Sequence, residues 1–386
     1  MQASKSFFHP KLDELYNFLL NKQKTYIGFP NNQIMDNEEL APFLNLVVNN
    51  IGDPFIGNLG LNTCTIETEV LNFFSKIYHI EENNYWGYIT NGGTESNLHS
   101  FFLAREESPN AKIYYSKDSH YSIPKAARIL RIDSVVVDSL ENGEIDYSDF
   151  ENKVRKNKDF PVILNANIGT TFKGAIDNVE KLLEIIHRNG IKEFHIHCDA
   201  ALFGGYLPFI EHAPLFDFRL PISSISVSGH KFFGSPIPCG IQLIRKSYLQ
   251  KVLNRIDYIG SFDGTVSGSR NGITVLILWK TIMQQGIEGF KKWADNSMNV
   301  TKYALEAFKE IKWHAFSNQF SNIIVIANPG EKIIKKWQLS SLNGDSHIVI
   351  MPNASKKIID DFIADITSQQ LPLQKKKVHD ARGNRI

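Results

Sequence analysis

The order of short strands and helices constrains this chain more than any other feature of its sequence. The apolar run VILNAN (162–167) and the strand-like EFHIHCD (193–199) flank the segment DNVEKLLEIIHRNG. In that segment the apolar residues share one helical face, Asp177 and Glu180 suit a helix start, and Gly190 suits a helix end. We therefore predict a strand, a helix and a second strand in this order.

Further strand-like runs continue the alternation: KIYYS (112–116), SVVVD (134–138), SSISVS (223–228) and GIQLI (240–244). Alternating strands and helices over residues 85–245 predict a mostly parallel sheet that is covered on both faces. Such sheets bind ligands at the carboxyl ends of their strands. Near residue 275 the pattern changes to a long charged helix, the strands NIIVIA and HIVIM and a closing helix, which predicts a smaller α+β domain.

The composition narrows the choice of partner and compartment. The 42 basic and 41 acidic residues give a net charge of +1, so we expect a small-molecule partner rather than nucleic acid or an anionic membrane. Cys64, Cys198 and Cys239 are odd in number and lack CxxC spacing, which favours a reducing compartment. We find no signal-peptide-like start and no run of roughly 18 apolar residues. These features predict a cytoplasmic protein.

The glycine turn in YITNGGTESNL ends a strand-like segment and begins a helix at Thr94. Backbone N–H groups at a helix N-terminus, with a hydroxyl beside them, suit a phosphate group. An ordinary strand-to-helix turn has the same local pattern, so the turn alone leaves both interpretations open.

Three polar residues alternate in HIHCDAA, so His195, His197 and Asp199 share one face of a strand. They suit a metal site. Alternatively, Asp199 alone faces a cationic ligand and the histidines are hydrogen-bonded sheet residues. Burial of a carboxylate is costly without a positive partner, which makes Asp199 the stronger functional candidate.

Lys231 directly follows a histidine in SVSGHKFFGSPIPCG, between two turns of small residues. A lysine in a partly desolvated turn has a lowered amine pKa, which makes the amine nucleophilic toward a carbonyl. A phosphate cradle, a strand-end carboxylate and such an amine together match what pyridoxal 5'-phosphate requires: anion binding, a counter-charge for the pyridine nitrogen and an imine-forming amine.

Six segments in order carry a family resemblance: TNGGTES, SKDSHYS, NIGTT, HCDAA, SVSGHKFFGSPIPCG and SGSRNG. They resemble the group II pyridoxal-phosphate-dependent amino-acid decarboxylases, specifically the bacterial histidine decarboxylase branch and its plant serine decarboxylase relatives. The resemblance extends from about Lys11 to Ile366. It implies an α/β fold of the PLP-dependent transferase type (aspartate aminotransferase fold type I), with a large, mostly parallel sheet domain and a small C-terminal α+β domain.

The resemblance also implies the site residues. Lys231 would form the internal aldimine, Asp199 would pair with the pyridinium nitrogen, and His120 would stack on the cofactor ring and contact the substrate. Further cofactor contacts are implied for Gly93, Thr94, Thr170, Thr171, Ala201, Ser228 and His230. Ser321, before the strand NIIVIA, would also border the substrate, and no metal is expected.

We expect the chain to divide into an N-terminal segment, two domains and a C-terminal tail. We expect residues 1–55 to form an N-terminal segment that packs on the dimer, residues 56–275 the large cofactor-binding domain and residues 276–370 the small domain. Residues 371–386 are basic and aperiodic, which predicts a mobile tail. The expected assembly is a homodimer or a dimer-based oligomer.

The implied reaction is decarboxylation of L-histidine to histamine and carbon dioxide through the Lys231 aldimine and a quinonoid intermediate, with the cofactor as electron sink. SPIPCG, GFPNN and KKWQLSSLNGDSHIVIMP resemble the bacterial histidine enzymes and favour this substrate. L-Serine or another L-amino acid is the alternative, because the motifs serve the cofactor rather than the side chain. A metal-dependent hydrolase built on His195, His197 and Asp199, and a cofactor-binding protein without activity, are the remaining hypotheses.

Overall fold

Helices and short strands alternate along the chain, which the computed structural model describes at residues 8–56 and 60–375. The described helices are α1 (Pro10–Gln23), α2 (Cys64–Ile77), α3 (Gly93–Glu107), α4 (Ser122–Leu130), α5 (Tyr147–Lys156), α6 (Val179–Arg188), α7 (Gly272–Glu310), α8 (Glu331–Trp337) and α9 (Lys356–Lys375). The described strands are β1 (Asn49–Ile51), β2 (Tyr85–Thr90), β3 (Lys112–Ser116), β4 (Asp133–Val137), β5 (Val162–Asn167), β6 (Phe194–Asp199), β7 (Ser224–Ser228), β8 (Gly240–Arg245), β9 (Asn254–Ile256), β10 (Ser261–Asp263), β11 (Ser269–Asn271), β12 (Ala315–Phe316), β13 (Ile323–Ala327), β14 (Ser340–Leu342) and β15 (Asp345–Val349). The strand-like runs predicted between residues 112 and 244 are strands β3 to β8, and the predicted helix between them is α6.

The largest sheet of the described chain has seven strands, in the order β2-β8-β7-β6-β5-β3-β4. Strands β4, β3, β5, β6 and β7 pair in parallel, whereas β8 runs antiparallel between β7 and β2. Every residue of β5 and β7 is buried, as is typical of central strands in a sheet that is covered on both faces. The prediction of a mostly parallel sheet is confirmed, with β8 as the antiparallel exception.

Helices cover both faces of this sheet. The evidence is that alternate side chains of β5 pack into two different apolar clusters. Val162 and Leu164 lie in a large apolar cluster to which α2, α6 and the first part of α7 contribute. Ile163 lies in a different cluster, with Phe101 of α3 and Ile123 of α4. Successive side chains of a strand point to opposite faces, so the two clusters are the two layers around the sheet.

A smaller antiparallel sheet has the strand order β12-β13-β15-β14. It shares an apolar cluster with residues of α7, α8 and α9, among them Phe308, Trp337 and Phe362. Helix α7 is interrupted at Gly286, whose φ of +56° favours glycine. This α+β unit confirms the second part of the expected fold class, while the domain limits given above stay predictions.

The N-terminal segment and α9 both adjoin the smaller sheet. Val349 donates its backbone N–H to the carbonyl of Ile27 (2.7 Å), and Ile27 is buried in the apolar cluster of that sheet. Helix α9 ends at Lys375, inside the segment expected to be a mobile tail, and residues 376–386 of that segment lie outside the described residues. In the described ranges, no helix combines the length and the apolar character needed to cross a bilayer.

Candidate active site

A cleft of about 280 Å³ opens at the carboxyl edge of the large sheet. The ends of β5, β6 and β7 contribute to it from one side, and the N-terminal segment and the smaller sheet contribute from the other. All ten residues that were expected to contact the cofactor line this cleft: Gly93, Thr94, His120, Thr170, Thr171, Asp199, Ala201, Ser228, His230 and Lys231. The fold therefore brings five separate sequence motifs to one place.

Lys231 lies in the turn that follows β7, and hydrogen bonds hold the backbone of this turn. Its N–H donates to the carbonyl of Ser228 (3.3 Å), and its own carbonyl accepts the N–H of Asn32 (3.2 Å). The Asn32 side chain also donates to the carbonyl of Phe232 (2.9 Å). Burial lowers the pKa of the Lys231 amine from its usual 10.5, and the negative charge of Asp199 partly opposes this effect.

The N-terminus of α3 forms one side of the cleft at Gly93 and Thr94. The first N–H groups of a helix have no intrahelical acceptor and attract anions. A Cβ atom added at Gly93 would lie 2.8 Å from the Ser228 hydroxyl, so a side chain here would fill the space beside these N–H groups. His230 lines the same cleft, with its Nδ1 3.0 Å from the carbonyl of Cys239. These groups together form a cradle for an anion.

Asp199 is the last residue of β6, and its side chain is buried at the cleft. Its Oδ2 accepts a hydrogen bond from Nδ2 of Asn97 (3.0 Å). The negative charge of Asp199 acts in turn on the Lys231 amine, whose pKa it raises against the larger effect of burial. The buried carboxylate thus has a hydrogen-bond donor, as its burial requires, and it shares the cleft with the amine of Lys231.

His120 lies in the loop after β3 and is partly buried in the cleft. Its Nδ1 is 2.8 Å from the Ser122 hydroxyl and also accepts the backbone N–H of Ser122 (3.3 Å). Burial lowers the pKa of His120; Asp199 opposes this shift, while Lys231 and Lys125 add to it. A neutral imidazole with a hydrogen-bonded Nδ1 is the result.

Three further predicted contacts occupy the remaining walls. Ala201 follows β6, and its carbonyl accepts the N–H of Ser228 (2.9 Å). The Thr170 hydroxyl accepts the N–H of Ala175 (2.9 Å), a hydrogen bond within the loop that contains both residues. Thr171 is exposed at the rim of the cleft.

Ser321 is not among the residues that line this cleft. It is buried, and its hydroxyl accepts the N–H of Ile323 (3.0 Å) in the turn before β13. A Cβ atom added at Gly174 would overlap this hydroxyl, so the two segments pack closely. Ile323, two residues further on, does line the cleft. The substrate contact expected of Ser321 stays a prediction.

His195 and His197 are buried residues of β6 and form hydrogen bonds with neutral side chains. His197 Nε2 is 2.9 Å from Oδ1 of Asn97, and His197 Nδ1 is 2.9 Å from the Ser224 hydroxyl. His195 Nε2 is 3.0 Å from the Ser100 hydroxyl. In the described part of the chain, no three His, Cys, Asp or Glu side chains are grouped as metal ligands would be. The interpretation as hydrogen-bonded sheet residues therefore fits both histidines.

Several residues that line the cleft were not predicted from the sequence. Asn167 ends β5 directly beside Asp199, and Asn97 lies one turn into α3. Phe29 and His347 come from the N-terminal segment and from β15. The rule that ligands bind at strand ends indicates Asn167, and its position beside the glycine turn draws attention to Asn97. Phe29 and His347 carry no local signal, because only the tertiary fold brings them to the cleft.

Comparisons with known proteins agree with this architecture. The model of the pyridoxal-dependent decarboxylase conserved domain matches residues 61–317. Serine decarboxylase 1 of Oryza sativa subsp. japonica is 41% identical over 91% of this chain and 74% of that protein. Histidine decarboxylase of Mesorhizobium japonicum is 39% identical over 93% of this chain and 97% of that protein. A solved L-methionine decarboxylase from Streptomyces sp. 590 superposes with a TM-score of 0.85 at 25% identity, over 93% of this chain and 94% of that one.

The sheet, its helical layers and these matches define a pyridoxal-dependent enzyme of fold type I. The chain belongs to the pyridoxal-dependent decarboxylase family, so it is a lyase whose cofactor is pyridoxal 5'-phosphate and whose substrate is an amino acid. This membership overturns the hypothesis of a metal-dependent hydrolase.

The side chains of the cleft fit this cofactor. The space at Gly93, which a Cβ atom would fill, lies beside helix N–H groups that suit a phosphate. Asp199 offers a negative charge for a pyridine nitrogen, and Lys231 offers an amine whose pKa burial lowers. The anion cradle, the counter-charge and the imine-forming amine are all present in one cleft.

Proposed function

We propose that this enzyme decarboxylates L-histidine to histamine and carbon dioxide. The observation that carries this proposal is the match to the histidine decarboxylase of Mesorhizobium japonicum, which includes 93% of this chain and 97% of that protein. The match to serine decarboxylase 1 of rice includes 74% of the rice protein. The alignment thus leaves less of the bacterial histidine enzyme unmatched than of the rice serine enzyme.

The proposed roles follow from the chemistry of each side chain. Bound pyridoxal phosphate supplies an electron sink for the electron pair that remains when carbon dioxide leaves. Lys231 holds the cofactor through its amine, which burial keeps more often neutral and hence nucleophilic. Asp199 holds a proton on the pyridine nitrogen, and His120 packs on the ring. Gly93, Thr94, Ser228 and His230 hold the phosphate, while Thr170, Thr171 and Ala201 bound the ring.

The wall opposite the strand ends supports a substrate with a flat ring. Phe29 and Pro30 of the N-terminal segment and Ile323 and Val349 of the smaller sheet line the cleft there, beside His347. Apolar and aromatic walls bury a planar imidazole side chain favourably. The hydroxymethyl group of serine has less apolar surface to bury against them.

L-Serine is the second candidate substrate. The observation that favours it is the 41% identity to rice serine decarboxylase 1 over 91% of this chain. The residues expected to contact the cofactor do not distinguish the two substrates, because they serve the shared chemistry at the cofactor.

We also propose a homodimer. Helix α1 has no buried residue, and its apolar side chains Leu12, Leu15, Phe18 and Leu19 are exposed. An exposed apolar patch of this kind is typical of a protein–protein interface. A second copy of the chain is the proposed occupant, with the N-terminal segment at the interface.

The substrate assignment is tested by supplying the cofactor-loaded enzyme with equimolar L-histidine and L-serine in one mixture. Carbon dioxide and both amines are measured, with Lys231→Ala as the matched control. We expect histamine and carbon dioxide in equal amounts, and none of either from the control. Ethanolamine as the main product would contradict histidine as the substrate. A loaded protein that releases no carbon dioxide from any L-amino acid would contradict a catalytic role.

A further inference from the structure

A single buried side-chain amide, that of Asn97, forms hydrogen bonds with four side chains at or near the cleft. The side chain of Asn97 on α3 is 2% exposed, and all of its hydrogen-bonding positions are used. Nδ2 donates to Asp199 Oδ2 (3.0 Å) and to the Ser122 hydroxyl (3.0 Å). Oδ1 accepts from the Ser226 hydroxyl (2.6 Å) and faces His197 Nε2 at 2.9 Å. An amide has two N–H donors and two acceptor positions on oxygen, so Asn97 is saturated.

These partners permit one orientation of the amide. Asp199 accepts hydrogen bonds when it is ionised, so it must face the NH₂ group. The reversed amide would place Oδ1 against the carboxylate of Asp199, where two acceptors would face each other. Because Oδ1 accepts and does not donate, His197 carries its proton on Nε2.

The same orientation leaves the hydrogen of the Ser122 hydroxyl available for a hydrogen bond to His120. The Ser122 hydroxyl oxygen accepts an N–H of Asn97, so its own hydrogen is free to be donated to His120 Nδ1. The backbone N–H of Ser122 is directed at the same nitrogen, and an N–H only donates. His120 Nδ1 therefore acts as an acceptor, and the ring proton lies on Nε2. In the described chain, Nε2 forms no hydrogen bond with a protein group.

We propose that Asn97 is a positioning residue that orients Asp199 and, through the Ser122 hydroxyl, supplies His120 Nδ1 with a second hydrogen bond beside the one from the Ser122 backbone N–H. This inference rests on the proposed cofactor roles of Asp199 and His120. One amide thereby links the carboxylate that would pair with the pyridine nitrogen to the imidazole that would pack on the ring. The arrangement leaves His120 neutral with one N–H donor for a ligand in the cleft.

Two substitutions test the proposal. Asn97→Asp keeps the shape but removes both N–H donors, so the new carboxylate accepts the Ser122 hydroxyl hydrogen and takes it from His120 Nδ1. Ser122→Ala removes the hydroxyl link and leaves Asn97 in place. Ser96→Ala is the matched control, because Ser96 is an equally buried neighbour on α3 whose hydroxyl bonds to Thr90 (2.8 Å).

The direct measurement is ¹⁵N NMR of the imidazole nitrogens in full-length protein labelled at its 12 histidines, with and without cofactor. The His120 signals are identified by their loss in His120→Asn. We expect protonated Nε2 and unprotonated Nδ1 in the unchanged protein and in Ser96→Ala. The backbone N–H of Ser122 keeps Nδ1 unprotonated in both variants. The Nδ1 signal should nevertheless shift from its position in the unchanged protein in Asn97→Asp and in Ser122→Ala, because the hydroxyl hydrogen no longer reaches this nitrogen.

A second measurement reports on Asp199. Asn97→Asp should keep its bound cofactor, measured by visible absorbance, while turnover falls by about ten- to a hundredfold, as is typical when a hydrogen-bonded supporting residue is lost. The NMR result needs neither substrate nor turnover, so it remains decisive if the substrate proposal fails. Protonated Nδ1 in the unchanged protein would overturn the inference. An unchanged His120 Nδ1 signal in folded Asn97→Asp, or in Ser122→Ala if Asn97→Asp does not fold, would also overturn it.

Discussion

At the scale of single residues, opposing effects act on the amine of Lys231. Burial has the larger effect and lowers the pKa of Lys231 below its usual 10.5, while the charge of Asp199 raises it. A lowered pKa increases the neutral fraction of the amine at a given pH, and the neutral amine is the nucleophile. The position of the lysine in the fold thus accounts for a reactivity that its sequence motif suggests.

The first prediction concerns the pH at which Lys231 reacts. The neutral fraction of an amine rises as the pH passes upward through its pKa, so Lys231 should react at lower pH than a fully exposed lysine. We expect its labelling by unphosphorylated pyridoxal and borohydride, in cofactor-free protein, to reach half its maximum below pH 10.5. Peptide mass mapping quantifies the label, with exposed Lys302 as the internal reference. A midpoint for Lys231 at or above that of Lys302 would contradict the assignment.

The second prediction separates cofactor retention from turnover at Asp199. Asp199→Ala removes the charge proposed to keep the pyridine nitrogen protonated, but it leaves the α3 N-terminus and Ser228 to hold the phosphate. We expect part of the cofactor to remain bound while turnover falls by roughly a hundredfold, as in other losses of one electrostatic partner. Visible absorbance and amine release measure the two effects. Near-normal turnover would show that Asp199 lacks the proposed role.

At the scale of elements, a buried ion pair joins segments that are far apart in the chain. Arg270 of β11 and Glu67 of α2 are almost fully buried and bonded to each other. Glu67 also accepts the N–H of Ile89 in β2 (2.7 Å) and Nδ2 of Asn50 in β1 (2.8 Å). Two buried charges of this kind are stable only as a hydrogen-bonded pair. Strands β1 and β11 pair antiparallel with each other, and the ion pair therefore links this two-stranded sheet to the large sheet.

The third prediction tests this connection. Arg270→Met leaves Glu67 buried without its cationic partner, so the free energy of unfolding should fall by about 3–5 kcal/mol. Arg188→Met is the matched control, since Arg188 pairs with Glu151 at the surface and its loss should cost about 1 kcal/mol or less. Urea unfolding of the three proteins measures both values. Equal losses in the two variants would contradict the proposed role of burial.

Some strands and cleft residues can be predicted from the sequence, and others cannot. Strands β3 to β8 were found because each is a short apolar run between turns, which is a local signal. The insertion of β8 between β7 and β2 was not predicted, because it depends on pairing Tyr85–Thr90 with residues 240–245, far along the chain. The five motifs at the cleft were predicted, because the residue types within each short motif already indicate its chemistry. The place of His347 in the cleft was not predicted, since its position beside Phe172 and Gly28 follows from the tertiary fold.

At the scale of the whole molecule, the N-terminal helix leaves apolar surface uncovered. Leu15, Phe18 and Leu19 of α1 are 52%, 57% and 55% exposed. Burial of such side chains against a second copy stabilises an interface by roughly 25 cal/mol for each Å² of apolar surface removed from water. A monomer would leave this surface in water.

The fourth prediction follows from that surface. Leu15→Asp places a charge within the apolar face of α1, where desolvation in an interface is costly. Asn17→Asp adds the same charge on the opposite side of the helix and is the matched control. Sedimentation should show the unchanged protein and Asn17→Asp as dimers, and Leu15→Asp with a weakened association. A monomeric unchanged protein, or a Leu15→Asp dimer of unaltered strength, would contradict the interface.

Borohydride reduction of the cofactor-loaded enzyme, followed by mass spectrometric mapping of the modified peptide, tests most directly whether this cleft is the active site. Every role proposed for the cleft depends on the amine that holds the cofactor. We expect one phosphopyridoxyl adduct, on Lys231, and no adduct in Lys231→Ala under the same conditions. An adduct on another lysine, or none in the loaded enzyme, would contradict the assignment of this cleft as the active site.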